Sequence, residues 1–275
     1  MSNKIRLGIL GGGGDSLIGV VHRIASNMFD RYQLVGGCFN PNIEDNNSFA
    51  ERIGIPLNRV YSSFDVLIEE ELKLPKEQRM EVISVLTPNF LHFPMAKKLL
   101  ENGFNVICEK PLTTTYAEAL ELEAIQKEKR AVFAVTYTYT GYPMVRQMKD
   151  MIRRGVLGTI QKVDLQYYQG WINPVIHEPE ERSKVWRLDP EKGGLSCCIG
   201  DIGTHAFDML EYVTGMEVKQ LLADLNTLYP DNSLDVDGTV LIRMSEYCKG
   251  VIRASQIATA EAVSYTHLTL PTTPY

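Results

Sequence analysis

A compact apolar run, Ile5 to Leu10, ends in four consecutive glycines, Gly11 to Gly14, and Leu17, Ile18, Val21, Ile24, Ala25 and Met28 then recur at helical spacing. Four glycines carry no side chain to pack into a strand or helix, so the chain must turn there, and the 3.6 period beyond makes the unit strand, glycine turn, helix. Apolar runs at Tyr32–Phe39, Glu81–Leu86, Asn105–Cys108 and Ala131–Val135 predict four more strands. Amphipathic stretches at Phe64–Leu72, Phe90–Leu100 and Tyr116–Lys127 predict helices between them. Nearly all-apolar strands separated by helices imply a parallel sheet covered on both faces, because each crossover lays a helix on the sheet. The first part of the chain is therefore expected to be a doubly wound, Rossmann-type α/β domain over residues 1–140.

From there the texture changes. A helix over Met144–Arg154 stops at Gly155, a strand covers Ile160–Gln169, a loop carries Trp171 and Trp186, and a helix runs from His205 to Val213 before Gly215. Strand-like runs at Val218–Leu225, Gly238–Met244 and Gly250–Gln256 then follow without helices between them. That succession predicts an α+β domain, residues 141–261, with a mainly antiparallel sheet.

Composition narrows the function classes. A net charge of −6 with scattered Lys and Arg gives no basic stripe for nucleic acid. No stretch is long and apolar enough for a bilayer span, so no membrane partner is expected. Five cysteines, an odd number lacking C-x-x-C spacing, read as reduced thiols, which fits a cytoplasmic location.

Gly11, Gly12 and Gly13, with Ser16 where a third glycine of the dinucleotide fingerprint would stand, allow pyrophosphate to approach the start of a helix. A flexible turn is the plainer alternative. The acid that usually binds the cofactor ribose is missing from the end of the second strand, where Cys38-Phe39-Asn40-Pro41-Asn42 stands; Asn40 could serve, and NAD and NADP both remain open. Thr87-Pro88-Asn89 and Glu109-Lys110-Pro111 each follow a strand directly and so lie at the carboxyl edge, where doubly wound sheets bind ligands. Asp201 and His205, four apart, share a face if Asp201 lies in the first turn of its helix, though an aspartate there also fits simple capping and the histidine a core position. Metal binding by the pair lacks a third ligand at fitting spacing, so no metal is expected. Tyr139, Trp186 and Arg187 suit a polar substrate pocket or an ordinary interfacial core. His92 reads as a helix-surface imidazole.

Taken in order, the glycine turn, Thr87-Pro-Asn89, Glu109-Lys110-Pro111 and Asp201-x-x-x-His205 resemble the Gfo/Idh/MocA family of NAD(P)-dependent oxidoreductases. The resemblance spans residues 4 to about 260 and includes Gly155-Val-Leu-Gly158. It implies Lys110 beside nicotinamide and substrate, His205 as general acid or base, and Asp201 orienting substrate or histidine. It further implies reversible oxidation of a secondary hydroxyl on a sugar, inositol or related polyol, in a homodimer or homotetramer. Two other functions stay open: a cofactor-retaining, redox-assisted elimination or hydrolysis of a glycoside, and a non-catalytic, nucleotide-dependent regulator. Residues 262–275 read as a non-native tail on a truncated second domain.

Overall fold

The computed structural model describes residues 4–14, 16–229 and 231–259. The chain forms two compact units that divide between Thr136 and Tyr137.

The first unit contains β1 (Ile5–Gly11), α1 (Leu17–Asn27), β2 (Tyr32–Cys38), α2 (Ile43–Arg52), α3 (Phe64–Lys73), β3 (Val82–Leu86), α4 (His92–Glu101), β4 (Asn105–Cys108), α5 (Tyr116–Lys129) and β5 (Phe133–Val135). All four pairings are parallel, in the order β2-β1-β3-β4-β5. Every residue of β3 is buried, as a strand covered on both faces requires. Leu10, Ile83, Val85, Leu99, Phe104 and Val106 lie in one core, while Leu7, Ile9, Phe39, Phe49 and Leu86 lie in a second. Strand order reverses between β1 and β3, so a crevice opens beyond their carboxyl ends, the usual ligand position in such sheets. Caps set the helix limits: the Ser16 hydroxyl accepts from Gly19 N, and Thr115 with Glu118 forms a complete capping box on α5. The helix expected from Phe90 begins instead at His92, after a 3₁₀ turn over Asn89–Leu91 that follows Pro88.

The second unit contains α6 (Pro143–Arg153), β6 (Lys162–Tyr168), the short helices α7 (Asn173–Ile176), α8 (Pro179–Ser183) and α9 (Pro190–Gly193), then α10 (Thr204–Thr214), β7 (Gln220–Asn226), β8 (Asp237–Arg243) and β9 (Lys249–Ser255). Its sheet runs β6-β9-β8-β7 and is mixed: β7–β8 and β8–β9 are antiparallel, but β6 pairs with β9 in parallel. Val163, Leu165, Met209, Leu210, Val213, Val240, Ile242 and Ile252 form a core between α10 and one sheet face. Leu221, Leu222 and Leu241 are exposed. Among the described residues no helix is long and apolar enough to cross a membrane. Residues 262–275, read above as a tail, lie outside the described residues.

Candidate active site

In the first unit the glycine turn is built by close backbone packing. Gly12 has φ +67°. A Cβ on Gly19, inside α1, would stand 1.9 Å from Gly12 O, so only glycine lets the helix seat against the turn. The close-packing role that the fingerprint gives its third glycine therefore falls to Gly19, and Ser16 serves as the helix N-cap. Gly13 N donates to Phe39 O at 3.2 Å, tying the turn to the end of β2. Arg23 Nη1 donates to Gly12 O at 3.0 Å. The glycine turn thus leads to the N-terminus of an 11-residue helix, an arrangement that fits a dinucleotide pyrophosphate.

At the end of β2, Asn40 Oδ1 accepts from Asn42 N at 2.9 Å, and Asn42 in turn caps α2 through Glu44 N and Asp45 N. Asn40 is therefore part of a fixed turn, and no carboxylate stands at that point in the sequence.

Two histidines, His92 buried and His22 half-buried, tie the edge loops together. His92, expected at the surface, is 1% exposed. The reason is its neighbours: Nδ1 lies 2.7 Å from Pro111 O and Nε2 2.8 Å from Thr87 O, and since a neutral ring has one N–H it donates to one of these carbonyls at a time while packing between the loops that follow β3 and β4. Burial lowers its pKa, against the raising effect of those two carbonyls and of Glu109. His22, on α1, meets Glu109 through Nε2 and Oε1 at 2.8 Å. Glu109 Oε2 also accepts from Lys110 N at 3.2 Å. Burial works against ionisation of Glu109, yet hydrogen bonds from His22 and Thr136 and the charges of His22 and Lys110 hold its carboxyl below the ordinary range. The backbone at Lys110 is thereby linked through Glu109 to the helix that follows the glycine turn. Pro88 and Asn89 occupy the β3 edge turn.

In the second unit Asp201 lies in a π-helical turn, Ile199–Gly203, that runs into α10, rather than in the first turn of α10 itself. The cause is a wide loop: Thr204 N donates five residues back to Ile199 O. Such turns concentrate at functional sites. The buried Asp235 carboxylate anchors the approach, accepting from Cys197 N at 3.1 Å and Ile199 N at 2.7 Å. Asp201 Oδ2 accepts from Gln256 Nε2 at 2.8 Å and lies 3.9 Å from Arg187 Nε. Arg187 stacks on Trp186 at 4.3 Å and reaches 5.9 Å from Trp171. His205 is buried, its ring centroid 4.6 Å from that of Tyr139, 5.6 Å from that of Tyr137 in an edge-on arrangement and 6.3 Å from that of Tyr167. The Tyr139 and Tyr167 hydroxyls bond each other at 2.5 Å, and burial followed by that bond pushes the Tyr139 phenol up. Burial, then Glu211, raises Asp208 to about 6.

Asp201, Arg187 and Trp186 are thus gathered in one cluster, and His205 and Tyr139 in another, within the same unit. Sequence reasoning missed Gly19, His22, His92, Asp235 and Gln256. Gly19 and His22 had a signal, one turn apart on the helix after the glycines; Gln256 had none.

Residues 5–137 match the GFO/IDH/MocA oxidoreductase family with NAD-binding Rossmann fold, and residues 145–269 match the GFO/IDH/MocA C-terminal domain. The uncharacterized oxidoreductase YfiI of Bacillus subtilis is 34% identical over 260 residues, 94% of this chain and 66% of YfiI. A levoglucosan dehydrogenase of Pseudarthrobacter phenanthrenivorans is 33% identical over 160 residues, 58% of this chain and 39% of that enzyme. An inositol dehydrogenase homolog from Azotobacter vinelandii, solved with NAD+, superposes with TM-score 0.89 at 30% identity, over 98% of this chain and 68% of its own. The chain spans less than two thirds of the length of these curated relatives.

Proposed function

The chain belongs to the GFO/IDH/MocA oxidoreductase family, and from that premise we propose an NAD(P)-dependent oxidoreductase acting on a secondary hydroxyl of a sugar, inositol or related polyol. The observation that carries the reading is the glycine turn seated on α1 at Gly19, with the Glu109–Lys110 loop linked to the same helix through His22. A bound nicotinamide supplies the two-electron carrier. Gly11, Gly12, Gly13 and Ser16 would hold its pyrophosphate at the helix N-terminus, Asn40 its ribose, and Thr87, Pro88, Asn89 and Glu109 would line the edge.

The remaining work falls to the chain's own groups. Oxidation of an alcohol carbon requires loss of the hydroxyl proton as negative charge develops on oxygen. The His205 imidazole accepts that proton and returns it in the reverse direction. The Lys110 ammonium stabilises the developing alkoxide. Asp201, held by Gln256, orients substrate or imidazole. Tyr139, Trp186 and Arg187 offer aromatic faces and donors to a polyol. A cytoplasmic location, consistent with five free thiols, and assembly as a dimer or tetramer belong to the same proposal.

The test is fluorescence titration with NADH and NADPH, followed by steady-state assays on myo-inositol and levoglucosan, with Lys110→Met alongside. Saturable binding of one coenzyme, net coenzyme reduction by a polyol and at least a hundredfold loss of kcat in Lys110→Met, about 2.7 kcal/mol, are expected. A chain that is folded by circular dichroism but binds neither coenzyme sinks the proposal. Coenzyme binding with bond cleavage in a glycoside and no net reduction would replace it with the elimination reading, and coenzyme binding without any turnover with the regulator.

A further inference from the structure

We infer that Gln256 is a positioning residue, whose amide fixes the carboxylate of Asp201 in the second unit. The inference rests on the proposed function, since it assigns a partner to an acid placed in that chemistry. Gln256 is wholly buried at the end of β9. Its backbone is pinned on both sides: N donates to Val236 O at 2.9 Å, and O accepts from Ile172 N at 3.3 Å. The side chain therefore springs from a fixed base. Its Nε2 donates to Asp201 Oδ2 at 2.8 Å, while its Oε1 accepts from Cys197 Sγ at 3.2 Å.

The two contacts select one orientation of the amide. An ionised carboxylate can only accept, so the amide nitrogen must face Asp201. A thiol is a donor and a poor acceptor, so the amide oxygen must face Cys197. Burial, and then the charges of Asp201 and Asp235, push the Cys197 thiol up to about 12, which keeps its proton in place. Flipping the amide would set donor against donor and acceptor against acceptor. Cys197 precedes the π-helical turn and Asp201 lies inside it, and Asp201 N donates to Cys197 O at 2.9 Å. The amide thus spans the turn from its approach to its acid. It fixes Oδ2 as the oxygen of Asp201 that the Gln256 amide engages.

The test combines a spectroscopic arm with a double-mutant cycle. The ¹⁵N side-chain signal of Gln256, identified by its loss in Gln256→Met, is followed with pH in the unaltered chain and in Asp201→Asn. Its amide proton shifts are expected to titrate with a carboxylate in the former and not in the latter; identical behaviour in both overturns the inference without any assay of activity. With myo-inositol as probe, Gln256→Met is expected to lower kcat roughly tenfold with the NADH dissociation constant unchanged, a size typical of one lost hydrogen bond to a charged group. Added to Asp201→Asn, it should lower kcat less than twofold further; fully additive losses overturn the inference. Cys197→Ser, which retains a donor for Oε1, should lose less rate than Cys197→Ala, and this comparison decides the matter if Gln256→Met does not fold. A chain that reduces neither coenzyme with any polyol counts against the proposed function, while the spectroscopic arm still decides the role of Gln256.

Discussion

Gly19→Ala is the most direct challenge to the account of the cofactor cradle. The added methyl would stand 1.9 Å from Gly12 O, 2.6 Å from Gly12 C and 2.7 Å from Gly12 Cα, where ordinary contact begins at 3.4 Å. All three are backbone atoms, so no rotamer relieves the clash; α1 and the turn must part by about 1.5 Å, the shortfall at Gly12 O. Overpacking costs up to about 3 kcal/mol, and the better helix propensity of alanine offsets about 1 kcal/mol of it. The net loss of about 2 kcal/mol corresponds to a fall in Tm of roughly 5–10 °C. Displacing the turn also misaims the backbone N–H groups at the helix start, and losing about 2.7 kcal/mol of charge-assisted bonding raises the NADH dissociation constant about a hundredfold. Fluorescence titration beside thermal unfolding reads both quantities. Gly54→Ala separates them: that glycine has φ +74° and no atom within 4 Å of its would-be Cβ, so it should cost about 1 kcal/mol of strain and leave NADH binding alone. If Gly19→Ala binds NADH within threefold of the unaltered chain, the close-packing argument is wrong.

Three further outcomes follow from the buried His92 and Glu109 and the half-buried Asp208. His92→Ala removes the ring and its one N–H donor from between the Thr87 and Pro111 carbonyls and leaves a void, so a stability loss of about 2–4 kcal/mol and roughly tenfold weaker NADH binding are expected; unaltered binding in a destabilised variant would refute the clamp. Because the folded pKa of Glu109 lies below its ordinary 4.5, the stability it contributes is complete above that value and is lost as pH falls through the lower, folded one. Denaturant titrations should accordingly show the deficit of Glu109→Gln shrinking below pH 4.5, and a deficit independent of pH would contradict the assignment. Asp208 has the opposite sign, its pKa rising from 3.8 to about 6, so the folded state prefers it protonated. Asp208→Asn should stabilise the chain above pH 6 by about 1 kcal/mol after allowance for solvent screening, with the gain vanishing below 3.8; a Tm difference without pH dependence would refute this.

Periodicity and breakers made the first unit legible. The strands beginning at Ile5, Tyr32 and Asn105 and the helix beginning at Tyr116 start where the pattern predicts, because each combines a local hydrophobic period with a local stop or cap. The parallel pairing of β6 with β9 was not legible. Lys162 meets Lys249 across 87 positions of sequence, and an alternating strand reads the same whichever direction its neighbour runs. His92 escaped for a related reason: its helix carries apolar residues on both sides of it, and only the loops after β3 and β4 reveal that its ring has two carbonyl partners. Asp201 and His205 were found as residue types four apart, whereas the π-helical turn that sets their relation depends on Asp235, which the sequence separates from Cys197 by 38 positions.

These misses share a direction. Apart from the strand pairing, each concerns a polar group that holds a site residue rather than one expected to touch ligand, and such groups are chosen by geometry that no local pattern encodes. In the first unit the glycine turn, the Thr87 loop and the Glu109–Lys110 loop leave three different strands, and ladder contacts reach their first residues, Gly11 opposite Leu86 and Glu109 N on Val85 O at 3.0 Å. His22 joins the helix after the turn to Glu109, and His92 joins the Thr87 and Pro111 carbonyls. Each imidazole takes the place of a protein–water bond at a sheet edge where water would otherwise compete. The loop carrying Lys110 is therefore ordered before any ligand arrives, and the entropy of ordering it is borne by folding rather than by binding.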